Sequence, residues 1–388
     1  MTNAEVISQF ATNAYGRLNA EWVRRRASMP KADRLILLGA MILMALGTIM
    51  VLSSSVMLAE RRFGAPGFFW KRQLIWWGVA AAIMILVSRI DYRRLRKWIL
   101  PGLIIAFALL GIVLFASPVN EARRWIPLGP IRIQPSEIFR LVIIMFTAAF
   151  FARQAERIEN PLQWWPMLAV LGAGSGLIML QPEFSALLTM WATVGLMVIA
   201  AGARWRHTLP VLGVAVTAAL IIVFGFEYKK ARVDDWREGL MTNTGGSYQV
   251  RQSKIALGSG GLVGQGLGRG RAKMLYLPEP HTDFILASIG EELGLLGLTA
   301  VFGIVMMMIF RGWKVATRAP DRFGYLLVVG IAGSLLVNAG LNAAVVTGVS
   351  PATGLPFPFV SYGGSSLLAT AAAWGIVLNV SRFRSSPW

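Results

Sequence analysis

The chain has 388 residues, 55% hydrophobic and only 15% charged, with a mean hydropathy of +0.58. A soluble protein carries about 25% charged residues, so the composition points to an integral membrane protein, and the net charge of +19 is assigned to membrane-flanking loops rather than to nucleic-acid binding. There is no cysteine, and the only histidines are His207 and His281, which excludes disulfides, thiolate catalysis and a His-rich metal centre.

Residues 1–33 precede the first span. Ile7, Phe10, Ala14, Leu18 and Trp22 recur at helical spacing ahead of Arg24, Arg25 and Arg26. The pattern suits a helix lying on the membrane surface or a disordered basic tail. So polar and basic a stretch is not expected to be a cleavable signal peptide.

Ten apolar segments follow, each near the ~20 residues a bilayer needs: approximately 34–58, 70–88, 98–117, 136–152, 163–180, 185–202, 207–226, 282–310, 323–347 and 361–381. Gln181, Pro182, Glu183 and Phe184 separate the fifth from the sixth as a tight hairpin, with Pro182 stopping the preceding helix. The expected fold is an all-α polytopic membrane protein with ten transmembrane helices over 34–383, tails at 1–33 and 384–388, and a large external loop at 227–281.

The loops set the orientation. With the N-terminus inside, the cytoplasmic side carries 21 Lys and Arg, counting Arg34 at the edge of the first span, against 7 in the short external loops. The long loop 227–281 is set aside because charge orients topology mainly through short loops. Both termini are therefore expected in the cytoplasm, with 118–135, 227–281 and 348–360 outside. No ATP is available there, so synthesis at that face must draw on an activated substrate or a gradient.

Four constellations carry polar chemistry. In the first, Arg123, Arg124 and Trp125 are followed by Gln134, Pro135, Ser136, Glu137 and Arg140, suiting a helix that begins at the membrane surface. Glu137 and Arg140 share a helical face, as a structural ion pair or as a phosphate-binding arginine beside its partner. The second is the glycine-rich basic run 258–271, with no preceding strand and no closing Gly-Lys-Ser/Thr of a nucleotide cradle. It is either a mobile loop or a set of backbone amides and arginines facing a lipid phosphate.

The third is 277–294, LPEPHTDFILASIGEELG. If Asp283 opens the eighth helix, Glu292 points away from it at about 100° per residue. No close carboxylate dyad of the retaining-glycosidase kind then forms, and Asp283 stands alone at the water boundary, as a reactive carboxylate or as a helix N-cap. The fourth is 350–366, whose three prolines and paired glycines make a rigid re-entrant loop, tolerable at membrane depth only beside protein or a cavity. Ahead of it, Ser334, Asn338 and Asn342 recur every four residues, as helix–helix glue or as the wall of a polar groove.

Together RRWIPLGPIRIQPSE, MLQPE, GQGLG, YLPEPHTDFILASIGEELG and LPFPFVSYGGSS resemble, in order over roughly 34–383, the SEDS family of shape, elongation, division and sporulation proteins, and their wording is nearer the division members than the elongation members. The resemblance implies a peptidoglycan glycosyltransferase that polymerises lipid II outside the cytoplasmic membrane for septal wall synthesis, beside a class B penicillin-binding protein transpeptidase and other divisome proteins. The family's essential aspartate falls on Asp283, the expected general base of an inverting displacement. Its Gln-Pro-Ser-Glu motif falls on Gln134 to Glu137, with Arg140 where a lysine is usual. Its Gln-Pro-Asp-x-Gly reads Gln181-Pro182-Glu183-Phe184-Ser185. Candidate contacts to the lipid II pyrophosphate are Arg124, Trp125, Gln134, Ser136, Glu137, Arg140, Glu183, Lys273, His281, Ser361 and Ser365. No cofactor is required, and a divalent cation (Mg or Mn) is compatible with the leaving group. Expected partners are lipid II, the transpeptidase, divisome proteins and membrane lipids, with no nucleic acid. The competing readings are a lipid II flippase and an elongation-type polymerase. The sequence shows no inverted repeat or paired broken helices, and its reactive residues gather on one face.

Overall fold

The computed structural model describes residues 32–383 apart from 119–122, 130, 154–157, 159, 205, 207–212, 214–226 and 243–246. The surface helix expected over residues 7–26, almost all of the seventh span at 207–226 and the tail 384–388 lie outside the described residues.

The described chain is mostly helical: α1 (Arg34–Phe63), α2 (Phe68–Val87), α3 (Leu95–Ile112), α4 (Pro135–Arg153), α5 (Trp165–Leu180), α6 (Phe184–Ala200), α7 (Glu227–Met241), α8 (Tyr248–Gly260), α9 (Ile285–Ala316), α10 (Arg322–Val346) and α11 (Gly364–Ser381). The strands β1 (Ile126–Leu128) and β2 (Ile131–Ile133) form a small antiparallel hairpin ahead of α4. Among the described residues seven helices, α1 to α4 and α9 to α11, are long and apolar enough to cross a membrane, and α5 and α6 are shorter apolar helices.

The ends of α1 show how sequence sets an element. Asp33 caps its start, accepting from the backbone N–H of Leu35 and Ile36, and also pairs with Arg311 of α9 at 2.6 Å. Gly64 ends the helix in the left-handed region at φ 61°, which costs a glycine nothing. Between those caps the helix is predominantly apolar, with Thr48, Ser53, Ser54 and Ser55 as polar exceptions ahead of Glu60, Arg61 and Arg62 at its end. It packs against α2 and α9, α2 packs against α11, and α10 packs against α4, α6 and α9.

The segment 351–363 enters this bundle without regular structure, and Phe357, Phe359 and Val360 are buried. A Cβ at Gly47, midway along α1, would overlap the Val360 carbonyl oxygen and stand 2.7 Å from Val360 Cα. The segment therefore reaches the middle of a spanning helix, as expected of a re-entrant loop. Gly47→Val should lower folded yield and the thermal midpoint, by about 1–3 kcal/mol for overpacking against a surface that cannot swing away. A melt of the purified variant matching the parent would place the loop elsewhere.

Two expectations need correction. The segment 227–281, expected to be a large external loop, holds two helices, α7 and α8, followed by a π-helical turn at Ala272–Tyr276. The glycine-rich run 260–271 is neither a mobile loop nor a phosphate cradle, because it is built into α9. That helix breaks at Gly294, φ 68° and ψ −166°, which interrupts its hydrogen-bond ladder. The run repairs the gap: Gln265 and Gly266 donate to the carbonyls of Glu291 and Glu292, while Leu295 and Leu296 donate to those of Gly261 and Leu262, all at 2.9–3.1 Å. The approach is close enough that a Cβ on Gly260 would overlap the Gly290 carbonyl and one on Gly264 the Glu292 backbone. Both carboxylates are 2% exposed. Arg271 N–H donates to Glu291 at 2.7 Å, and Gly268 N–H at 3.0 Å, Ser53 Oγ at 2.6 Å and Lys273 Nζ at 3.3 Å donate to Glu292. The backbone amides of this loop thus bind carboxylates of the chain itself.

Candidate functional site

Asp283 lies in the turn 277–284 that leads into α9. The expected helix start is corrected by two residues: α9 begins at Ile285, and Phe284 holds the N-cap position without a side-chain cap. Asp283 is therefore not the helix cap. The turn is pinned by main-chain ties. Asn342 Nδ2 of α10 donates to the Asp283 carbonyl at 2.9 Å and to the Leu355 carbonyl at 2.5 Å. Ser361 Oγ donates to the Thr282 carbonyl at 2.5 Å and accepts from Phe357 N–H at 2.8 Å. Tyr362 N–H donates to the His281 carbonyl at 2.9 Å. A Cβ on Gly354 would stand 3.5 Å from Asp283 Oδ2, so the re-entrant loop presents its bare backbone to this carboxylate. Asp283 is part-exposed, like Pro278, Glu279 and Thr282 of the same turn, whereas the first turns of α9 are buried.

His281, two residues earlier, is 2% exposed. Its ring packs against Phe69 at 4.5 Å and Tyr362 at 5.5 Å between centroids. Burial, with a smaller push from the Arg62 charge, lowers its pKa to about 4, so it is neutral near pH 7. It is an aromatic-stack residue that shapes the turn rather than an open substrate contact.

A second group surrounds the start of α4. Arg124 donates to the carbonyls of Gln181 at 3.1 Å and Pro182 at 2.7 Å, clamping the α5–α6 hairpin. Trp125 is part-buried beside it. The Gln134 side-chain amide donates to Glu183, while its backbone N–H donates to Ser365 Oγ at 3.2 Å and Ser365 donates to the Arg132 carbonyl at 2.8 Å. Ser136 and Glu137 are buried in the first turn of α4. Burial pushes the Glu183 pKa up to about 7, with the Glu137 carboxylate adding to it and Ser136, Arg124 and Gln134 opposing. Glu183 therefore titrates near neutrality, where a proton can be taken or given.

Glu137 and Arg140 form the expected ion pair, with side chains only 7% and 12% exposed. Arg140 also donates to Asn338 Oδ1 at 3.3 Å. Glu137, Arg140, Ser334 and Asn338 line a cavity of about 30 Å³ that Pro358 and Trp374 also border, room for about one water. The polar stripe on α10 is both glue and wall. Asn338 ties the Arg140 group, and Asn342, one turn or about 6 Å further along the axis, ties the Asp283 turn.

The structure thus assembles the residues singled out in the sequence into two groups joined by α10. Arg124, Trp125, Gln134, Ser136, Glu137, Arg140, Glu183 and Ser365 form one; His281, Asp283 and Ser361 form the other. Lys273 belongs to neither, since it is engaged by Glu292 and the Gly268 carbonyl. Sequence reasoning missed Ser53 and the seating of Glu291 and Glu292. Nothing in the periodicity of α1 distinguishes Ser53 from Ser54 or Ser55. Among the described residues no three His, Asp or Glu side chains converge as a metal site.

The profile of the FtsW/RodA/SpoVE cell cycle proteins matches residues 33–386. A probable peptidoglycan glycosyltransferase FtsW of Trichlorobacter lovleyi is 38% identical over 93% of this chain and 96% of its own length. Stage V sporulation protein E of Bacillus subtilis is 36% identical over 90% and 97%. Among solved structures, a chain of a peptidoglycan synthase complex that coordinates polymerization and crosslinking superposes with a TM-score of 0.75 at 25% identity, covering 92% of this chain and 99% of that one. The rod shape determining protein RodA of Thermus thermophilus does so at 0.67 and 26% identity over 92% and 98%. With the motifs, the fold and these likenesses covering the same residues, the chain belongs to the FtsW/RodA/SpoVE family of cell cycle proteins.

Proposed function

We propose that the chain is a peptidoglycan glycosyltransferase that polymerises lipid II for septal wall synthesis, with Asp283 as general base. The observation that carries this reading is a part-exposed carboxylate on a turn fixed by Asn342 and Ser361, against the bare backbone of Gly354. A base fixed by its surroundings contributes through position as well as proton affinity. The acceptor sugar hydroxyl attacks the anomeric carbon of the donor, a new C–O bond forms, and the bond from that carbon to the lipid pyrophosphate breaks. The hydroxyl proton passes to Asp283, and the leaving pyrophosphate departs with the electron pair. One displacement inverts the anomeric centre and requires no enzyme nucleophile. The charge that grows on the pyrophosphate calls for cations, and Arg124 and Arg140 are the candidates for that role. A divalent ion, if used, would add charge neutralisation at the leaving pyrophosphate; among the described residues no three His, Asp or Glu side chains are grouped to hold one.

The proposed partner is a class B penicillin-binding protein that cross-links the strands. FtsW naming among the relatives favours division over elongation, and the likeness to a chain of a synthase complex favours such a partner. The proposed orientation has both termini in the cytoplasm and the Asp283 face outside, supported by the 21-to-7 charge bias of the short loops. A reporter inserted at the exposed Gly258 should read external, and a cytoplasmic reading would reverse the placement of the active face. The function is tested with purified protein and labelled lipid II, with and without the transpeptidase. Glycan strands are expected; lipid II crossing a vesicle bilayer with no strands formed under either condition would favour a flippase.

A further inference from the structure

An open cleft of about 410 Å³ lies outside both groups, between the C-terminal end of α1 and the turn that carries Asp283. It is lined by Leu58, Arg61, Arg62, Lys273, Leu277 and Glu279, with two prolines completing the wall. Its depth follows from α1. Arg61 and Arg62 occupy the last turn of a 30-residue apolar helix that Gly64 terminates. The ends of a spanning helix lie at headgroup level, and Leu58 sits one turn deeper, toward hydrocarbon.

The charge of the cleft is one-sided. Arg61 and Arg62 face one acid, Glu279, whose contact to Arg62 is 3.8 Å long with the Arg62 side chain 56% exposed, while Lys273 at the back of the cleft is engaged by Glu292 and the Gly268 carbonyl. A guanidinium has five N–H donors, so one long ion pair leaves capacity for a phosphate, for which arginine geometry is suited. Leu58, Leu277 and the prolines add an apolar wall that a free ion would not use. The volume falls within the ~300–1,000 Å³ of small-ligand sites.

We propose that this cleft binds the headgroup phosphate of an anionic lipid, with Arg61 and Arg62 on the phosphate and Leu58 and Leu277 against the start of its hydrocarbon chain. Pro278, Glu279 and Pro280, which wall the cleft, continue within three residues to Asp283, so an occupied cleft braces the turn that holds the carboxylate. Binding here does not rest on the reaction proposed above, because it is measured without turnover.

The full chain is extracted from bilayers holding equal phosphatidylglycerol and phosphatidylcholine, and the retained lipids are counted by native mass spectrometry. Phosphatidylglycerol should be retained preferentially. Each cation near a bilayer surface contributes on the order of 1 kcal/mol to anionic-lipid binding, so Arg61→Gln should reduce that retention about fivefold and Arg61→Gln with Arg62→Gln about 25-fold. Arg93→Gln, a basic change outside the cleft, should leave it unaltered. Equal retention of the two lipids by the parent protein overturns the proposal without any variant. So does a double variant that retains phosphatidylglycerol like the parent. Displacement of the lipid by inorganic phosphate at equal or lower concentration would identify a free-phosphate site instead, and would equally overturn it.

Discussion

Asp283→Asn is expected to lower glycan-strand formation by about 10²- to 10⁴-fold, the range lost when general-base assistance is removed. Two ties that position the residue run through main-chain carbonyls, from Asn342 to Asp283 and from Ser361 to Thr282, and an amide side chain of the same size leaves both in place. Folded yield and lipid II binding should therefore stay near the parent values while the rate collapses. Asp283→Glu keeps the base but shifts it by a methylene from its place beside the Gly354 backbone, where a Cβ would stand 3.5 Å from Asp283 Oδ2. Severe but incomplete loss is expected from it. The measurement is strand formation from labelled lipid II, beside a separate binding assay on protein of normal yield. Full polymerisation by Asp283→Asn would remove the carboxylate from the mechanism.

What the sequence made legible, and what it did not, follows from the range over which each signal acts. Apolar runs and a proline at a hairpin are local, so nine of the ten expected spans have helices in the described residues. The Glu137–Arg140 pair was legible because three residues along a helix fix its geometry. The position of Asp283 relative to its helix was displaced by two residues, since the turn is set by Asn342, 59 positions away, rather than by a capping residue. The role of 258–271 was misread for a similar reason. Glycines read as loop when taken alone, but here their small size lets one segment enter the broken backbone of another at Gly294. The adjacent acids Glu291 and Glu292 were conspicuous in an apolar segment, yet their partners are the backbone amides of Gly268 and Arg271, which have no sequence signature, together with Lys273 and the distant Ser53. The Ser334, Asn338 and Asn342 stripe was visible as periodicity. That it links two polar groups could be seen only once α4, α9 and the re-entrant loop were placed around α10.

Arg140→Ala should be the most damaging change to folding. The Glu137 and Arg140 side chains are nearly buried, and removing one partner of such a pair leaves a charge without compensation, at about 3–5 kcal/mol. The neighbourhood offers the stranded carboxylate little relief. Glu183, close enough for Glu137 to raise its pKa, is itself an acid, and the cavity beside the pair holds about one water. Loss of the Arg140 contact to Asn338 would also loosen α10, which carries Asn342 and through it the Asp283 turn. Arg140→Ala should therefore reduce folded yield, the melting temperature of the purified protein and polymerisation together. Arg140→Lys keeps the charge but gives up the planar fork and one hydrogen bond worth about 0.5–1.5 kcal/mol, so it should stay folded with a modest loss. Combining Arg140→Met with Glu137→Gln removes both charges and should recover much of the melting temperature. If it also recovered strand formation, the pair would be structural only; recovery of stability without activity would assign Arg140 to the reaction. An Arg140→Ala protein that melted and polymerised like the parent would mean that the pair is solvated and dispensable.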